Sequence, residues 1–97
     1  MRLLVSEQAL RDLTEIHEYI RAERPMAADR MIERFWRTFE FLCDFPNSGH
    51  VRSDVRDARY RFKRVKSFLI GYRVDGSDVR IVRVLHGARD FRPIRME

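Results

Sequence analysis

The sequence predicts an α+β domain: an N-terminal strand, an antiparallel two-helix hairpin, and three further strands completing a mainly antiparallel sheet on which the helices pack. Three observations predict it. Apolar residues recur at helical spacing in two stretches before Pro46. They alternate with polar residues in three short runs from Tyr60 onward, and an Asp75-Gly76 pair separates the last two runs. The resulting order is β-α-α-β-β-β. No internal repeat, low-complexity tract or Gly/Ser linker interrupts it, so residues 1–97 read as a single domain.

The run "RLLV", residues 2–5, is short, apolar and β-permissive. Ser6 then offers a helix N-cap, with Glu7 in the first turn where the helix dipole favours an acid. Leu10, Leu13, Ile16 or His17, and Ile20 recur along one face of a helix of about 17 residues, and Arg11, Asp12, Glu15 and Glu18 occupy the other side. Arg24-Pro25 ends this helix and opens a second, because proline is tolerated in a first turn whose N–H groups have no intrahelical partner. Met31 or Ile32, Phe35, Phe39 and Leu42 continue the apolar stripe to Pro46, and Trp36, Phe41 and Phe45 widen it.

Residues 46–58, "PNSGHVRSDVRDA", carry turn formers and charges without a period and read as a loop. Strands are expected at 60–66, 68–74 and 79–86, the last two joined as a hairpin through "DGSD", a loop longer than the favoured two residues. A sheet with one apolar face would serve to bury the two helical stripes.

Composition narrows the function classes. Cys43 is the sole cysteine, which excludes an intramolecular disulfide framework and favours a reducing, cytoplasmic setting. The apolar stretch after Arg2 is too short for a signal peptide, and no run approaches the roughly 20 residues of a membrane span, so a soluble protein with no membrane partner is expected. The net charge of +5 is unevenly distributed. Residues 1–48 hold 7 Lys+Arg against 9 Asp+Glu, and residues 49–97 hold 13 against 6. Clustered positive charge repels itself unless something anionic meets it, which points to nucleic acid or an acidic protein.

Histidine and cysteine spacings fit no zinc pattern, and no glycine-rich phosphate loop or nucleotide fingerprint is present, so neither metal nor cofactor is expected. Ser6 reads as a helix cap, since no His/Asp arrangement can be tied to it. His17 lies near the apolar arc of its helix, and His50 lies in the charged loop.

The element order, the block "YRFKRVKSFLIGYRVDGSDVRIVRVLHGARD" and the "FPNSG" punctuation after the second helix resemble the RelE/ParE superfamily of small bacterial toxins, with ParE the nearer branch. The resemblance runs from "SEQAL" to "HGARD". It implies a toxin held inactive in a hetero-oligomer with a cognate, ParD-like antitoxin whose extended or helical tail wraps it. It further implies one of two targets: ParE-like members trap DNA gyrase on broken DNA, and the ribonuclease branch cuts mRNA on the ribosome.

A metal-free ribonuclease needs a base, cations and an acid around one phosphate. Lys63, Arg73, Arg83 and His86 are the candidates here, with His86 as the proton carrier; its alternative role is a hydrogen-bonding histidine that closes the strand end. Leu69 stands where nuclease relatives often have an arginine, and "FRPIRME" lacks the tyrosine they often place near the C-terminus. The reading adopted from the sequence is therefore a binder of gyrase. Arg61, Lys63, Arg73, Arg83, His86, Arg89 and Arg92 form its contact surface, Arg89 and Asp90 form a local salt bridge, and Gly87 bends the chain. On that reading, reversing charge at Arg83 and Arg89 together abolishes activity without unfolding the protein. Five aromatics between Phe35 and Phe45 exceed what one stripe buries, so Trp36 or Phe41 is expected to stand exposed as an anchor for the antitoxin or a second toxin copy.

Overall fold

A computed structural model describes all residues, 1–97, and follows the expected order: β1 Arg2–Val5, α1 Glu7–Arg21, α2 Pro25–Asp44, β2 Arg61–Val65, β3 Phe68–Asp75 and β4 Asp78–His86. The strands form one mixed sheet in the order β1-β4-β3-β2. β2, β3 and β4 are antiparallel neighbours, and β1 runs parallel to β4 with Arg2 opposite Asp78 and Val5 opposite Ile81.

α1 begins at Ser6, whose Oγ accepts the Ala9 N–H at 3.0 Å and donates to the Val82 carbonyl at 3.0 Å. One side chain therefore caps the helix and docks it to the sheet. The helix has 15 residues, two fewer than expected, because the Glu23 and Arg24 N–H groups both turn back to the Ile20 carbonyl. Its inward face also differs from the expected one. Ala9, Leu13, Ile16 and Ile20 pack inward, Leu10 is 44% exposed, and Asp12, expected on the polar side, is 5% exposed. Asp12 can be buried because its carboxylate is fully engaged, as described below. α2 presents the expected stripe: Met31, Phe35, Phe39 and Leu42 are buried against Ile70, Tyr72, Val79 and Ile81 of the sheet.

The hairpin between β3 and β4 is tighter than the sequence suggested. Asp75 pairs with Asp78, leaving only Gly76 and Ser77 in the turn, and Gly76 takes φ 57°, a conformation that costs glycine little. The turn between β2 and β3 is equally short and places Lys66 at φ 54°.

The expectation of a single apolar sheet face is corrected. The face opposite the helices carries a second core, in which Tyr60, Phe62, Leu69, Val82 and Leu85 are covered by Phe91 and Met96 of the C-terminal segment, with Val55 and Ile94 against them. Arg52 lies 4.3 Å from the Phe91 ring centroid, extending this cover from the 46–58 loop. Gly71 marks the closest approach, since a Cβ there would meet the Met96 Cε at 2.7 Å. The loop itself is anchored twice: His50 pairs with Phe62 through two backbone hydrogen bonds, and the buried Tyr72 hydroxyl donates to the Pro46 carbonyl at 2.7 Å while accepting the Gly49 N–H at 2.9 Å.

Candidate functional site

β1 covers β4 only as far as Ile81, so the remaining edge of β4 needs other partners. α1 supplies them. Asp12 accepts the Val84 N–H at 3.0 Å, the Arg83 Nε at 2.9 Å and Nη2 at 3.1 Å, and the Gln8 amide at 3.0 Å. Arg83 Nη1 also donates to the Arg95 carbonyl at 2.7 Å, tying the C-terminal segment to the same knot. The Arg83 side chain is only 13% exposed. Its expected role as a displayed contact residue is therefore corrected: it compensates a buried carboxylate. An acid at position 83 would face Asp12, so the double reversal with Arg89 would unfold the chain.

Arg73 is also engaged internally. Its side chain is 17% exposed and faces Asp75 at 3.0 Å and Glu97 at 3.2 Å. Glu97 in turn accepts the Tyr60 hydroxyl, and burial followed by this carboxylate pushes the Tyr60 pKa up to about 12. Arg92 pairs with Asp90 at 2.8 Å, and its hydrogen bonds pull Asp90 down to about 2. The expected Arg89–Asp90 bridge is thus replaced by Asp90–Arg92, which leaves Arg89 exposed and without a carboxylate partner. Arg52, Arg59 and Arg80 likewise face Asp54, Asp57 and Asp75. Six of the thirteen Lys and Arg residues of the second half thus face carboxylates of the chain itself, and among the others those at two places stand beside aromatic rings.

The first is the turn after β4. His86 is exposed, sets its ring edge-on to Phe68 with centroids 5.4 Å apart, and accepts the Ala88 N–H on Nδ1 at 3.3 Å, which leaves Nε2 without a partner in the chain. The Gly87 N–H donates to the Ser67 carbonyl at 2.7 Å, so this corner is held against the β2–β3 turn. His86 and Arg89 line a cleft beside α1 with Gln8, Glu15, Tyr19 and Phe68. Tyr19 is 82% exposed. Sequence reasoning missed it because a lone tyrosine on a polar helical face resembles any solvated residue.

The second is the side of the sheet facing α2. Lys63 sits 5.3 Å from the Phe41 ring centroid, and Arg61 donates to the Gly49 carbonyl at 3.0 Å. Phe41 and Trp36 are 42% and 37% exposed, and Trp36 packs edge-on to Phe39. The candidate nuclease set is consequently only partly gathered. Arg83 and His86 line the same cleft beside α1, Arg83 with its guanidinium held by Asp12, whereas Lys63 lies on the helical side of the sheet and Arg73 on the side covered by the C-terminal segment.

Comparison with known proteins places this architecture. The family model described as the ParE toxin of the type II toxin-antitoxin system, parDE, matches residues 3–91. The chain is 35% identical over 83 residues to the toxin RelE2 of Caulobacter vibrioides, covering 84% of this chain and 90% of that one. It is 38% identical over 60 residues to toxin ParE3 of the same organism, covering 62% and 59% of the two chains. A solved structure of a chromosomal ParDE system from P. aeruginosa shares the fold, with a TM-score of 0.76 at 21% identity over 89% of this chain and 95% of the other. With the family model spanning nearly every element just described, the chain belongs to the ParE toxin family of type II toxin-antitoxin systems.

Proposed function

We propose that this toxin acts in the cytoplasm by binding DNA gyrase, without cleaving a bond itself, and that a cognate antitoxin neutralises it in a hetero-oligomer. The observation that carries the reading is the separation of Lys63 and Arg73 from the cleft that Arg83 and His86 share. Phosphodiester cleavage needs its proton carrier and cations around one phosphate, and here Arg73 and Arg83 are each held by carboxylates of the chain itself. The contact residues are His86 and Arg89, which project from a corner fixed by backbone hydrogen bonds.

A second reading, a ribosome-dependent mRNA interferase, draws on the RelE2 relative and on the unpartnered His86 Nε2 in a cleft shared with Arg83 and Arg89. One experiment separates the two. Purified protein is added to a gyrase supercoiling reaction and, in parallel, to a translation extract. Loss of supercoiling with intact message supports gyrase; cleaved message with normal supercoiling reverses the assignment.

A further inference from the structure

The cleft between α1 and the end of β4 gathers polar groups that the rest of the chain leaves without partners. Asp12, Glu15 and Tyr19 follow one another at helical spacing along the face of α1 that borders it, and Phe68, His86 and Arg89 line it from the sheet. Asp12 is engaged by Arg83 and by the Val84 N–H. The other three polar groups are open: Glu15 is exposed and faces no cation, Arg89 is exposed and faces no carboxylate, and the His86 Nε2 has no partner.

The backbone adds a donor. The Val84 N–H points from β4 toward α1, since Asp12 receives it at 3.0 Å. Strand alternation turns the His86 N–H the same way, beyond the point at which β1 stops. Rings complete the lining. Phe68 is fixed between Phe35 and His86, both edge-on at 5.5 and 5.4 Å, and the Tyr19 side chain is open to solvent. The cleft volume of about 510 Å³ lies within the range of roughly 300–1,000 Å³ typical of small-ligand sites.

We propose that this cleft binds a guanine nucleotide: the base stacks on Tyr19, Glu15 accepts its N1–H and N2–H, the His86 N–H donates to O6, and Arg89 meets the phosphate. The inference rests on the reading of His86 and Arg89 as contact residues and names what they touch. Guanine alone among the bases sets two N–H donors side by side next to a carbonyl, so one carboxylate takes both. An exposed ring beside a cation is the pairing that holds an unstacked base and its phosphate. An acidic peptide would be repelled by Glu15 and a basic one by Arg89, whereas a guanine nucleotide brings donors to the acid and an anion to the arginine. Duplex pairing hides the same base edge, so the source is a single strand or a free mononucleotide.

The test uses the full chain and two fluorescein-labelled single-stranded deoxypentanucleotides, one all thymine and one with a central guanine, followed by anisotropy. Saturable binding is expected, tighter for the guanine strand by about tenfold. Glu15→Gln should abolish that preference without weakening the all-thymine strand, while Tyr19→Ala should weaken the guanine strand at least about fivefold and Arg89→Glu should weaken both. All three side chains are exposed, and circular dichroism checks that each variant folds. Guanosine 5′-monophosphate serves as competitor. Displacement at concentrations equal to those of the guanine strand assigns the site to a mononucleotide, and displacement only at large excess assigns it to a strand. Absence of saturable binding, equal affinity for the two strands, or a guanine preference that survives Glu15→Gln would each overturn the proposal. Supercoiling by gyrase is measured separately on the unaltered protein. Inhibition without guanine binding removes this site and keeps the gyrase target, and guanine binding without inhibition does the reverse.

Discussion

Replacing Asp12 with alanine strands several groups at once. The Arg83 guanidinium loses its carboxylate, and the Val84 N–H loses its acceptor at an edge with no neighbouring strand. Removing one partner of a buried ion pair costs about 3–5 kcal/mol, mainly because the other charge remains without compensation. The Arg83 side chain keeps 13% exposure and the Arg95 carbonyl, which places the loss near the lower limit, about 3 kcal/mol. A domain of this size has roughly 5–15 kcal/mol in total and loses about 4–8 °C of melting temperature per kcal/mol, so the midpoint should fall by about 12–24 °C. Urea unfolding followed by circular dichroism measures it, with an unchanged m-value showing that the unfolded reference has not moved. Adding Arg83→Leu to Asp12→Ala removes the stranded charge and should recover part of the loss. A single-variant loss below about 1 kcal/mol, or losses that simply add in the double variant, would refute the buried pair as the device that closes the β4 edge.

Three further outcomes follow from the same geometry. Tyr72→Phe deletes the hydroxyl that serves both Pro46 and Gly49 and should cost about 1–3 kcal/mol; Gly49→Ala, whose Cβ would lie 2.6 Å from that oxygen, should destabilise the same loop, and hydrogen exchange at residues 46–50 reads both. Tyr60 should titrate near pH 12 by absorbance at 295 nm, and Tyr60→Phe should remove that late step. Because its folded pKa lies above the unfolded 10, Tyr60 stabilises the fold fully below pH 10, and that contribution disappears as pH rises through 12. For activity, Arg89→Glu should relieve inhibition of supercoiling in a folded protein, and His86→Ala should weaken it only modestly; complete loss from His86→Ala alone, without unfolding, would point to the nuclease.

Much of the fold was legible because periodicity reports burial. The stripe Met31, Phe35, Phe39 and Leu42 and the alternation of β4 translate directly into faces. Three features left no such trace. Asp12 reads as a solvated acid, since nothing local in "RDLTE" shows that an arginine 71 positions away will meet it. Phe91, Ile94 and Met96 follow no regular period, so the segment that covers the second sheet face resembles a tail. Arg73 and Arg83 look like contact residues for a target because charge counts do not reveal which cations the chain itself neutralises. The exposed Trp36 and Phe41 were readable, because five aromatics across α2 exceed what one face can bury.

The parallel pairing of β1 with β4 also sets a clock on the chain's own production. Arg2 must wait for Asp78, 76 positions later. At ordinary elongation rates that interval is about 4–15 s. Until then the first strand has nothing to pair with and the sheet cannot close. A newborn copy therefore emerges unarmed, and any companion protein made alongside it has those seconds to arrive first.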